Sequence, residues 1–136
     1  MFQNIETNSS EVPNYQTKCL EFSIIDFVLL VIRKKAAKKE IEEMAKDLDG
    51  YVKVVVDIER KILTGGGERH VDGEQKLLQE GSRQQDLWGG GLDLETNEID
   101  YNSIINLRPS QNNPSRDILS SEIREDFDKI VKDLLL

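Results

Sequence analysis

The stretch GGGERHVDGE, residues 65–74, contains the only histidine of the chain and sets Glu68, His70, Asp72 and Glu74 on alternate positions. In an extended strand, side chains two residues apart project to the same side, so these four would line one wall. Carboxylates together with an imidazole ligate zinc, manganese or iron. Glu68, His70 and Asp72 are therefore the candidate ligands for a divalent metal, with Asp57 and Glu59 across a hairpin as a second wall. Other features oppose this. Alternating acids are what any solvent-facing strand presents, Gly73 weakens a strand at that point, and crowded like charges repel unless a cation, Arg60 or Arg69 intervenes. There is no H-E-x-x-H motif, and the exposed-face reading is preferred.

His70 is the one side chain whose ordinary pKa lies near neutrality. That makes it the candidate general base, with Asp57, Glu68 or Asp72 to orient it; a histidine hydrogen-bonded at a strand end is the simpler account. Ser82 in GSRQQDLWG lacks the G-x-S-x-G elbow of a nucleophilic serine and reads as a turn residue. Trp88 is expected in the core, or else walling a pocket beside Arg83, Gln84 and Asp86. Arg108 can clamp a carboxylate or phosphate in a forked geometry, or neutralise Asp57 or Glu68 internally, which is slightly preferred. The runs Gly65–Gly67 and Gly89–Gly91 resemble no P-loop. They suggest close backbone approaches or movable loops around a shared region.

The elements that must hold these groups are set by a chain of 136 residues, 38% hydrophobic and 32% charged. That length fits one domain. The net charge of −8 disfavours nucleic acid as a partner. The single cysteine, Cys19, excludes an internal disulfide. The apolar run 19–32 is interrupted by Glu21 and Asp26 and is too short for a membrane span. With no export signal legible, a soluble, cytoplasmic protein is expected.

Residues 1–26 read as a flexible N-terminal tail and 27–136 as a single domain. FVLLVI (27–32) suits a buried strand. The next segment carries Ile41, Met44, Ala45 and Leu48 at helical spacing and stops at Asp49-Gly50. Arg33, Lys34, Lys35, Lys38 and Lys39 crowd its start, where the helix dipole favours anions; they read as a solvated turn or as a docking patch for an acidic partner. Residues 51–64 read as one strand, with Val52, Val54, Val56 and Ile58 facing a helix and Lys53, Val55, Asp57 and Glu59 on a half-open side. Residues 74–82 are ambiguous. Residues 92–109 read as a hairpin turning at Thr96-Asn97 and a strand continuing to Pro109. Residues 120–136 form a second amphipathic helix capped by Ser120 or Ser121, its stripe being Ile123, Phe127, Ile130, Val131, Leu134 and Leu135. The fold expected is α+β: a mostly antiparallel sheet with two amphipathic helices packed on one face.

The segments D-I-E-R, G-G-G-E-x-H-x-D, G-S-x-Q-x-D-L-W-G and I-N-x-R-P, in that order and spacing over residues 28–135, closely resemble a small bacterial family catalogued as domain of unknown function 5674, common in cyanobacteria. The family pattern often has a longer aliphatic-aromatic stretch where Gly89–Gly91 stand, and a cysteine where Gly73 stands. The resemblance implies fold and boundaries but no activity, cofactor or catalytic residue.

The functional expectation is a small-molecule or protein-binding module whose polar site gathers Asp57, Glu68, His70, Asp72, Gln84, Trp88 and Arg108. The alternative is a small metal-dependent hydrolase using Asp57, Glu68, His70 and Asp72. A toxin–antitoxin type of partner role is a third. Whether the chain is an enzyme stays open at this level.

Overall fold

The computed structural model describes residues 27–136, so the expected tail over residues 1–26 lies outside the described residues. The strands are β1 (Leu29–Ile32), β2 (Tyr51–Asp57), β3 (Ile62–Gly66), β4 (Leu87–Asp93) and β5 (Glu98–Asp100), and the helices are α1 (Lys38–Ala45), α2 (His70–Gln79) and α3 (Ser121–Leu135). The sheet runs β1-β3-β2-β4-β5 in space, and every pairing is antiparallel. This is an α+β fold. Among the described residues no helix is long and apolar enough to cross a membrane.

The two expected helices pack together on one face. Met44 of α1 and Phe127, Ile130 and Val131 of α3 share a core with Val52, Val54, Val56, Leu63, Trp88 and Leu92. Each such side chain stabilises the fold by about 1.5–3 kcal/mol through removal from water. The Ser120 hydroxyl caps α3 by accepting from Ile123 N at 3.2 Å. Helix α1 starts only at Lys38, and Glu40 accepts from Ala37 N at 2.8 Å. Arg33–Lys35 therefore precede the helix, and an acid does sit in its first turn. Asp49 and Gly50, at φ 59° and 96°, end the segment.

Three expectations are corrected. Residues 51–64 are not one strand. Asp57 Oδ1 accepts from Glu59 N and Arg60 N, both at 2.9 Å, and Lys61 takes a left-handed φ of 58°. This side-chain-braced turn reverses the chain into β3, whose far edge pairs with β1.

The second face is not half open. Helix α2 covers it, with Leu77 buried among Val55, Ile62, Leu87 and Ile105. Gly73 permits this contact, because a Cβ there would overlap Thr64 Oγ1. Glycine weakens a helix by up to about 1 kcal/mol relative to alanine, and the close helix–sheet approach offsets that cost.

Nor does the strand after Asn97 continue to Leu107. The hairpin forms, with Asn97 at φ 63°, but the chain leaves the sheet at Asp100. Fully buried Asn106 then takes the place of a strand residue beside β4. Its Oδ1 accepts from Gly89 N at 2.8 Å, and its Nδ2 donates to Gly89 O at 2.9 Å. A side chain that satisfies backbone groups in this way competes directly with ladder pairing.

Candidate functional site

Residues 68–74 are not extended, which undoes the single wall expected of them. Helix α2 begins at His70, and at 3.6 residues per turn Asp72 points away from the face shared by His70 and Glu74. Asp72 Oδ1 instead pairs with Arg69 Nη2 at 2.9 Å on the surface. Glu74 is turned inward and accepts from Gln84 Nε2 at 3.3 Å. Among the described residues no three His, Cys, Asp or Glu side chains stand close enough to hold a metal ion. The divalent site expected from Glu68, His70 and Asp72 therefore has no ligand cluster.

The other expected site residues gather where β2 ends and β4 begins, at the paired positions Asp57 and Leu87. Asp57 is fully buried. Besides the two turn amides, its Oδ2 accepts from Ser82 Oγ at 2.6 Å, and Arg60 Nη1 donates to that same hydroxyl at 3.0 Å. Ser82 is thus the turn serine anticipated. Arg108 does not neutralise Asp57 or Glu68. Its Nη1 donates to Gln84 O at 2.7 Å and to Gln111 Oε1 at 3.1 Å, and its Nη2 donates to Leu87 O. The guanidinium lies over the buried Trp88 ring, 4.1 Å from the centroid. Of its nitrogens, Nε alone lacks an acceptor among the described residues, as does the buried Trp88 Nε1. Burial pushes the Arg108 pKa down, and the charges of Glu74 and Asp86 oppose that. This end of the sheet is a structural knot.

His70 goes elsewhere. Its Nε2 lies 2.6 Å from Gly90 O, one position beyond the last β4–β5 pair, Gly91 with Asp100. The carbonyls held by His70 and Arg108 are three residues apart on β4, about 10 Å along a strand. A carbonyl only accepts, so Nε2 carries the proton and Nδ1 is the basic nitrogen. Burial lowers the His70 pKa; Lys53 adds to this, while the Gly90 hydrogen bond and Asp100 oppose it. The imidazole is neutral at physiological pH.

His70 lines an open cleft of about 490 Å³ together with Glu68 and Arg69 before α2, Tyr51 and Lys53 of β2, and Asp100 of β5. Asn102, Ser103, Ile104 and Arg116 complete its lining. The Tyr51 hydroxyl donates to Asp100 Oδ2 at 2.6 Å. Burial first, and that carboxylate second, push the Tyr51 pKa up. The second glycine run explains the shape: a Cβ at Gly89 would overlap Ser103, and one at Gly91 would overlap the Tyr51 hydroxyl. The bare strand lets both residues lie against it.

Of the seven expected residues, Glu68 and His70 line the cleft, while Asp57, Gln84, Trp88 and Arg108 build the knot and Asp72 stands outside both. Sequence reasoning missed Tyr51, Lys53, Asp100, Ser103 and Arg116. The available signal was the glycine run, legible as a floor only once β4 is laid beside β2.

The family model described as "Protein of unknown function (DUF5674)" matches residues 30–134, nearly the span over which the sequence motifs carry the resemblance. No curated protein and no solved structure matches the chain.

Proposed function

The chain belongs to the DUF5674 family, a membership that assigns no activity, and we propose on that footing that it is a binding module taking a small polar molecule in the cleft around His70. The observation that carries this reading is the imidazole itself. It is neutral, its tautomer is fixed by Gly90 O at 2.6 Å, and it lines a cleft of about 490 Å³. Ligand sites typically span roughly 300–1,000 Å³ with a few convergent polar groups. Arg108, expected beside His70, contributes rigidity from the knot instead of a ligand contact. A metal-dependent hydrolase has less support. Asp57 is occupied by Ser82 and two turn amides, and Asp72 by Arg69.

The reading is tested by screening the isotope-labelled chain against a library of small polar metabolites by amide shift mapping. Hits should move the amides of Lys53, His70 and Asp100, and His70→Ala should weaken them at least about tenfold, the loss of one buried hydrogen bond to a bound group. Hits that map only outside the cleft, or that bind His70→Ala unchanged, overturn it.

A further inference from the structure

We infer that the ligand of this cleft carries an oxyanion, a carboxylate or a phosphate, held by Lys53 and Arg116. The inference rests on the cleft reading above and names the ligand class. It starts from two cations of the cleft that, among the described residues, have no ion-pair partner. The chain carries a net charge of −8, yet Lys53, Arg69 and Arg116 converge on one cleft against Glu68 and Asp100.

The five are not alike in status. Arg69 is already paired, to Asp72 at 2.9 Å. Asp100 accepts from the Tyr51 hydroxyl at 2.6 Å and from Asn102 N at 3.2 Å. Glu68 stands exposed at the rim. Lys53 and Arg116 remain. Among the described residues, neither has a carboxylate within ion-pairing distance.

Lys53 is half-buried in the middle of the sheet, opposite Gly91. A charge withdrawn from water without a counter-charge is unfavourable, and an anion seated beside it removes that cost. The setting adds to this. Arg69, the residue preceding α2, provides no side-chain cap, and although Asp72 N donates to Arg69 O at 3.1 Å, the positive end of that helix dipole lies at His70. Nδ1 of His70, an acceptor by the tautomer argument, suits a hydroxyl or amine on the same ligand.

The test titrates the isotope-labelled full chain with inorganic phosphate and, separately, with succinate, at constant ionic strength. Saturable shifts at Lys53, His70 and Arg116 are expected, and the tighter of the two probes distinguishes phosphate from carboxylate. Lys53→Met should weaken the binding at least about tenfold and Arg116→Gln about fivefold. Arg116 is exposed, so its variant remains informative if Lys53→Met fails to fold. Shifts confined to the Lys34–Lys39 run, or variants that bind like the parent chain, overturn the inference. A neutral library hit in the cleft with no response to either anion also overturns it, while leaving the binding-module reading intact. Failure of every probe in the cleft sinks both.

Discussion

The two ends of the β2–β4 ladder are built from the same kinds of residue and put to opposite uses. At the Asp57–Leu87 end, an acid, an arginine and a serine engage one another and the backbone around a buried indole: both Asp57 oxygens are occupied, the Arg108 guanidinium reaches two carbonyls and a ring, and of the buried side-chain nitrogens among the described residues only Arg108 Nε and Trp88 Nε1 are left without an acceptor. Toward the Tyr51–Asp93 end, Lys53 and Arg116 have no such partners among the described residues, and His70 keeps a basic nitrogen. Buried polar groups that are fully paired rigidify a fold; polar groups left over at a concave surface are available to something else. Residue type alone does not separate these cases. Their partners do.

Breaking the closed end should give the largest effect. Trp88→Ala removes the base on which Arg108 lies and opens a cavity in the core, and should cost about 3–5 kcal/mol by chemical denaturation. A loss under about 1 kcal/mol would show that the knot is not a packed unit. Asp57→Ala leaves the amides of Glu59 and Arg60 and the Ser82 hydroxyl without their acceptor. It should cost about 3 kcal/mol, whereas Lys53→Met at the other end should change stability by no more than about 0.5 kcal/mol.

Gly91→Ala sharpens the comparison from the cleft side. The new methyl must displace Tyr51 and strain its bond to Asp100. A cost of about 1–3 kcal/mol is expected, together with weaker binding of any cleft ligand.

The smallest effect is a pH dependence. His70 titrates below its ordinary 6.5, burial being the main cause, Lys53 adding to it, and Gly90 O and Asp100 opposing. The unfolded chain therefore takes up that proton first. Stability is complete above pH 6.5 and falls as pH drops from there through the folded-state pKa. Urea midpoints at about pH 7.5 and about pH 5.5 should differ more for the parent chain than for His70→Asn. Equal differences would mean that the imidazole is not withdrawn from water.

Much of the scaffold was legible because its signals are local. The stripe of α3 needs only its own spacing, and all of Phe127, Ile130, Val131, Leu134 and Leu135 are buried. The Ser120 cap, the Asp49-Gly50 stop and the Asn97 turn follow from the conformations those side chains favour. The errors arose where one side chain overrides a run of apolar periodicity. Asp57 folds a seeming fourteen-residue strand into a hairpin, and Asn106 ends a strand by pairing with Gly89 across seventeen residues of sequence. Alternation in 68–74 suggested a strand, but Val71 of that segment packs with Leu77 and Leu78 further along the chain as one helix against the sheet. The site was half legible: His70 and Glu68 carry chemistry that draws notice, while Lys53 and Arg116 look like any surface cation until their surroundings are known.

The sequence by itself determined the fold class, the family and the lone imidazole, because composition, motif spacing and helical periodicity act through neighbours along the chain. Only the tertiary structure decided which polar residues are mutually satisfied and which are left facing a cleft. Pairing depends on distances between strands and helices remote in sequence, and a hydrogen bond formed or missing within about 3 Å separates a structural arginine from an unpaired cation.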